Sequence, residues 1–431
     1  EGTDIVRDAD VWNGRVTVTF TVSSGGKDTS DSVLLRVAPV VLRHHLAPEE
    51  QVFVSKFPGD TGSTETRTAL KAAIAGRYPS ASSDFLFELD GEEQLGRTQP
   101  YYDQWIQDYM EIGYASMPAT EGKQQKMNIF LRSANVYEPK SAKSPLRPAG
   151  KVVFIKFRGP DSAAVQQYDA GHDEASDSLN SFGNTETIPP FSDGAKSYPL
   201  GRLLRGSIKS FAPDRSFSKL LDAQEVQPTV NIDTSWLFVG HVDETISFVK
   251  APTPRGWVAL VNDPALAREM LQAQVDAGKG DTPLFTGRKW IDDTGAETPA
   301  ETTIAKVLAN TDVMSESAST ASHVQSQLAI LKAETGLTDA EIVRVPYLHE
   351  PVQGASVAYQ PGTVNGLVLA DDTFAAPEPH GPVIDGKDIF KVQLEGALAK
   401  IGVKVAWIED WDLYHREIGE VARVLFVLRA V

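Results

Sequence analysis

The chain contains no cysteine. Disulfide bridges, thiolate metal sites and a cysteine nucleophile are therefore excluded. No apolar run approaches the ~18 residues that a membrane helix needs. Basic residues are in deficit: 41 Lys and Arg stand against 58 Asp and Glu, a formal charge of −17. A surface this acidic repels nucleic acid and favours cationic ligands or metal ions. There is no initiator methionine and no basic, apolar signal peptide; the first residue is Glu1. That start reads as a processed secreted protein or as a piece of something longer. Over 431 residues, 41% are hydrophobic and 23% charged. This is enough for one large packed domain or a few smaller ones, and too apolar for a disordered chain.

The first forty residues read as β structure. Val16, Val18, Phe20 and Val22 alternate with Thr17, Thr19 and Thr21, a period of two with β-branched residues on both faces. Ser23, Ser24, Gly25 and Gly26 form a turn, and Val33–Val37 a second strand stopped by Pro39. From Pro58 the texture becomes mixed. Ser63–Ala75 reads as a helix closed by Gly76, Asp263–Pro264 opens another that Gly278 closes, and a longer helix spans Asp312–Thr335. Thr338 and Glu341 have capping-box spacing. Short strands are expected at 152–157, 258–261, 367–370 and 403–408, and surface loops at 140–150 and 291–301. Strands alternating with helices indicate α/β or α+β. No internal repeat stands out.

Three segments carry chemistry. Tyr102–Glu111 places Asp108 and Glu111 beside Trp105; alone, it is equally an amphipathic turn with solvated carboxylates. Gly240-His241-Val242-Asp243-Glu244 follows an apolar stretch; if extended, His241 and Asp243 point to one side, which suits acid–base work. Ser181-Phe182-Gly183-Asn184-Thr185-Glu186 is a glycine turn whose carbonyls and Glu186 could hold a hard cation, or an ordinary turn.

Taken in order, WIQDYMEIGY at 105–114, SFGNTETIPP at 181–190, YPLGRLL at 198–204, GHVDETISFV at 240–249 and GPVIDG at 381–386 resemble the catalytic domain of the protein-arginine deiminases. The resemblance implies an α/β fold, a five-bladed αβ propeller over residues 45–431, preceded at 1–44 by the end of an immunoglobulin-like β-sandwich. It implies calcium-dependent hydrolysis of peptidyl-arginine to citrulline and ammonia through a covalent thiouronium intermediate, acting on protein or peptide substrates with accessible arginine, with no nucleic acid or membrane partner. It suggests a cytoplasmic location; secretion is the alternative.

By this resemblance Asp108 and Asp243 hold the guanidinium by paired charge-assisted hydrogen bonds, and His241 protonates the departing ammonia and then helps to activate water. Trp105 and Val239 wall the arginine stem, and Arg147 in Ser144-Pro145-Leu146-Arg147 grips the substrate backbone. Gln107, Glu111 and Glu186 are side-chain calcium ligands, with Phe182 and Thr185 supplying carbonyls. That arrangement implies order around 105–111 and 181–186 only with the ion bound. A second family calcium site is disturbed, because Tyr109 and Lys143 fall where acidic ligands belong.

The resemblance breaks at the nucleophile. Tyr414-His415 and Gly419-Glu420-Val421 match, but Ala422-Arg423 stand where His-Cys is expected. Arg423 occupies the nucleophile position, and the family pattern is lost after 421. An altered C-terminal segment is the favoured explanation, because everything upstream keeps the catalytic pattern; the alternative is a non-catalytic relative that binds arginine peptides, and a weaker functional reading is an acidic calcium-stabilised scaffold with no arginine site.

Overall fold

The computed structural model describes residues 5–78, 85–90, 103–136, 145–169, 178–207, 213–292 and 294–429, without the side chains of 423–427. Tyr102, Lys143, Ser144 and the side chain of Arg423 lie outside the described residues. No described helix is long and apolar enough to cross a membrane.

Five mixed sheets repeat one pattern. In each, a middle strand pairs antiparallel with one neighbour and parallel with another. The middle strands are Glu49–Ser55, Gln124–Arg132, Arg202–Ser207, Trp257–Asn262 and Thr373–Pro377. Their antiparallel partners are Leu425–Arg429, Met110–Pro118, Thr185–Ile188, Ile246–Lys250 and Leu367–Ala370. Their parallel partners are Leu86–Leu89, Ser162–Gln166, Thr229–Asp233, Ile342–Val345 and Lys404–Ile408. A parallel partner needs a crossover, and helical segments supply it: Thr61–Arg77, Val152–Ile155, Arg215–Ala223, Pro264–Asp276 with Thr311–Thr335, and Ile389–Ala399. Most start on a side-chain cap. Asp60 accepts from Ser63 N, Asp214 from Phe217 N, Asp263 from Leu266 N, Asn310 from Asp312 N and Val313 N, and Asp388 from Phe390 N and Lys391 N. Each such cap contributes about 1 kcal/mol.

The cores run between consecutive sheets. Phe53 and Leu89 of the first pack with Ile112 and Phe130 of the second. Ile129 and Leu131 of the second meet Leu203 of the third. Ile188 and Val230 of the third join Phe248 and Trp257 of the fourth. Val258 and Leu260 of the fourth join Val368 and Phe374 of the fifth. Leu369 and Ile408 of the fifth return to Val52 and Val54 of the first. Burying each large apolar side chain contributes about 1.5–3 kcal/mol, so every sheet is held from both faces.

The N-terminal hairpin stands outside this pattern. Among the described residues, Arg15–Ser24 and Lys27–Arg36 pair only with each other, and all twenty of their residues are exposed. Gly25 and Gly26, at φ 60° and 77°, supply the left-handed pair that a two-residue hairpin turn requires.

Several local expectations are corrected. Residues 148–155 are helical rather than a strand at 152–157, and Ala149 and Gly150 are buried rather than in a surface loop. The branched run Val152-Val153 favours β structure locally, but packing in the Phe53–Phe130 core overrides it. Gly76 lies inside the first helix, which ends at Arg77. The five-fold repetition, invisible in the sequence, is carried by backbone pattern alone.

Candidate active site

The turns that lead into the outer strands meet one another. The helical turn Ile106–Tyr109 packs on the 3₁₀ turn Phe182–Asn184 and on the C-terminal turn Val421–Val424, and Phe182–Asn184 packs on Val242–Glu244. The loop before Leu367 joins them: Gly362 N donates to Glu420 Oε1, and Ala422 N donates to Asn365 O at 3.0 Å. Asp108, Asp243 and position 423 thus ride on mutually packed segments.

His241 and Asp243 are not in an extended strand, as the i, i+2 argument assumed. His241 caps a 3₁₀ turn over Val242–Glu244, and its backbone N–H donates to Glu244 Oε1 at 2.8 Å. The two side chains converge all the same. A Cβ added at Gly183 would lie 2.6 Å from His241 Nδ1 and 2.9 Å from Asp243 Oδ2. Only a residue without a side chain lets both approach. His241 is fully buried; its Nε2 donates to Ser178 O at 2.9 Å and lies 3.1 Å from Ser178 Oγ. Bonding to a carbonyl places the proton on Nε2 and turns Nδ1 toward Gly183.

Asp108 is buried, and its Oδ2 accepts from Arg147 Nη1 at 2.8 Å. Asp103 takes the same guanidinium bidentately, from Nε at 2.7 Å and Nη2 at 2.9 Å. Burial opposes the Arg147 charge, but Asp103 and then Asp108 outweigh it, and its pKa is raised. Arg147 therefore directs its donors to these two carboxylates. Asp103 is a site residue that the sequence reading passed over; its i−5 spacing from Asp108 gave no periodic signal. Trp105 packs on Tyr414, with ring centroids 5.9 Å apart. Val239 is half-buried, and its carbonyl accepts from Ser178 Oγ at 2.7 Å. A cavity of about 280 Å³ adjoins this region, with Glu244, Trp290, Tyr347, Glu350, His415 and Glu420 among its lining residues. His415 Nδ1 donates to Glu420 Oε1 at 2.8 Å.

The residues expected to hold calcium do come together, with basic side chains beside them. Glu186 Oε2 lies 2.9 Å from His45 Nε2, and its Oε1 accepts from Gln107 Nε2 at 3.2 Å. Glu111 Oε1 accepts from Ile112 N at 2.7 Å. Burial raises the Glu111 carboxyl well above its usual range, and Glu186 adds to this, while Arg429 and Arg43 pull it back. The shared cavity is only about 40 Å³, and Arg43, His45 and Arg429 line it with the acids. Among the described residues, no three His, Asp or Glu side chains are grouped to hold a metal. A chamber with two guanidinium groups on its wall does not fit a doubly charged cation.

A family model described as protein-arginine deiminase matches residues 27–431. Human protein-arginine deiminase type-3 is 30% identical over 396 residues, covering 91% of this chain and 54% of its own length. Human type-4 is 30% identical over 403 residues with the same coverage. The chain spans about half the length of the curated relatives it matches. Among solved structures, the agmatine deiminase of Enterococcus faecalis superposes with a TM-score of 0.44 at 11% identity, over 91% of this chain and 96% of that one.

Proposed function

The chain belongs to the protein-arginine deiminase family, and we propose that it offers a family-type site to peptidyl-arginine but, lacking the thiol, holds the side chain without turning it over. The five sheets, packed first to second and so on round to fifth against first, are read here as the five blades of the family's αβ propeller. Residues 45–431 form its body, and the exposed hairpin is the end of an immunoglobulin-like module at 1–44.

One observation carries the proposal: carboxylates of this site already hold a guanidinium. Asp103 and Asp108 bind Arg147 through three charge-assisted hydrogen bonds in a buried setting, the strongest pairing available to these groups. An incoming arginine finds Asp108 preorganised and exchanges with Arg147, whose released guanidinium is then available to the substrate backbone. Asp243 takes the opposite edge, and Trp105 and Val239 flank the stem. With a nucleophile present, His241 Nδ1 would first take up a proton, from the nucleophile or from solvent, and then pass it to the departing nitrogen as the tetrahedral carbon collapses. The family implies a thiolate for that attack, yet the sequence has no cysteine. Calcium, which the family also implies, enters no step here, because the donor set does not fit it.

The C-terminal segment favours a non-catalytic relative over a damaged end. Leu425–Arg429 is the antiparallel partner of Glu49–Val54, Arg429 is buried on Glu49, and the family match runs to residue 431. Two measurements decide. Citrulline formation on an arginine peptide should be undetectable. Calorimetric titration with the same peptide should give saturable binding that the citrulline peptide does not. Absence of binding would sink the reading.

A further inference from the structure

We infer that the Glu111–Glu186 cluster is held by the chain's own cations, and that this protein orders its site without calcium. Functional assignment enters only in naming which donors the ion would need. Glu186 has both oxygens engaged, one by His45 Nε2 at 2.9 Å and one by Gln107 Nε2 at 3.2 Å. Gln107 thus presents its amide nitrogen, a donor, to Glu186. The Phe182 carbonyl is taken up by Thr185 N within the 3₁₀ turn.

The cations come from distant parts of the chain: Arg43 precedes the first middle strand and Arg429 lies in the last strand, with His45 Nε2 as a further polar partner of Glu186. Arg429 is 3% exposed and donates to Glu49 Oε1, Ala47 O and Val368 O, each at 2.8 Å. Arg43 Nη2 donates to Asn128 Oδ1 at 2.6 Å, while its Nε and Nη1 are buried without a hydrogen-bond partner. Burial lowers the pKa of half-buried Arg43 to about 10, while Glu50 and, on the shared cavity wall, Glu111 support its charge. The ion's task, separating two carboxylates from adjacent segments, is thus done by side chains whose positions are fixed once the first sheet closes on the C-terminal strand.

The test is thermal unfolding and calorimetric titration of the whole chain in millimolar calcium chloride against EGTA. The expected result is no saturable heat and a shift of no more than about 1 °C, less than ~1 kcal/mol of ligand stabilisation would give. A shift of several degrees, or a saturable calcium isotherm, overturns the inference. In Arg429→Met the internal cation is lost, so calcium but not magnesium should restore part of the lost thermal stability. Where that variant does not fold, Arg43→Met carries the same comparison. A folded variant indifferent to calcium would overturn the idea that these side chains stand in for the ion. Peptide binding is measured separately: a chain that ignores calcium and binds no arginine defeats the functional reading and leaves this one standing.

Discussion

Two acidic clusters lie on one segment, Asp103–Asp108 and, three residues on, Glu111 with Glu186. Each has cations brought from elsewhere in the chain beside it, and the two differ in what those cations resemble. In the first, Arg147 has the same head group as the ligand proposed for the site, so exchange costs one set of hydrogen bonds and returns an equal set. In the second, Arg43 and Arg429 resemble neither calcium nor its hydration shell, so they exclude the ion rather than keep its place. A buried carboxylate pair must be offset by something. The chemistry of the offsetting group decides whether the pair stays a binding site.

The largest expected effect tests whether the first cluster still serves catalysis. The double variant Ala422→His/Arg423→Cys should gain citrulline formation over a background at the assay floor, because nucleophile loss costs on the order of a millionfold. Turnover by the unaltered chain, read by citrulline assay, would mean a different nucleophile. Next comes Arg147→Met, which leaves Asp103 and Asp108 buried without their cation. Chemical denaturation should show a loss of about 3–5 kcal/mol. Added agmatine should recover part of it in the variant and none in the parent; failure of that rescue would show Arg147 to be a structural tie and not a ligand mimic. Gly183→Ala should weaken arginine-peptide binding by about tenfold or more, since a Cβ displaces His241 and Asp243 by the ångström-scale misplacement that such sites do not tolerate. Unchanged affinity would show that those two groups do not touch the ligand.

A separate prediction concerns acid. His44, beside the second cluster, is pushed down to about 4 by burial, then by Arg429 and His45. His349 is pushed down to about 3 by burial. Both folded values lie below the unfolded value of about 6.5. Their stabilisation is thus complete above that pH and is lost as pH falls through the interval from about 6.5 toward 4, at roughly 1 kcal/mol per pH unit per site. Unfolding curves taken across this interval should show the slope, and His349→Gln should flatten it. A profile that stays level to pH 4 would contradict the buried, neutral histidines.

Helix ends were legible because their signals are local. Asp263 and Pro264, Thr338 with Glu341, and the last helical residue Thr335 followed by Gly336 at φ 70° are where capping chemistry puts them. The hairpin was legible for the same reason. Residues 152–155 were not, because a tertiary core overrode a β-branched run. His241 and Asp243 were assigned to one side by strand periodicity; they meet through a 3₁₀ turn and a bare glycine instead. The cations of the second cluster left one faint trace, an arginine at 429 within the apolar run of 424–431.

The sequence by itself determined the chemistry this protein has to work with. The ordered motifs place it in its family, the carboxylates and His241 suit a guanidinium, and the lack of cysteine removes the thiolate. Those are properties of residue identity and short-range spacing, which need no fold to be read. Tertiary structure decided which charges are spent on one another. Arg147 reaches Asp103 and Asp108 across some forty residues, and Arg429 reaches Glu49 across 380. Pairing at such separations depends on how five sheets close around common turns.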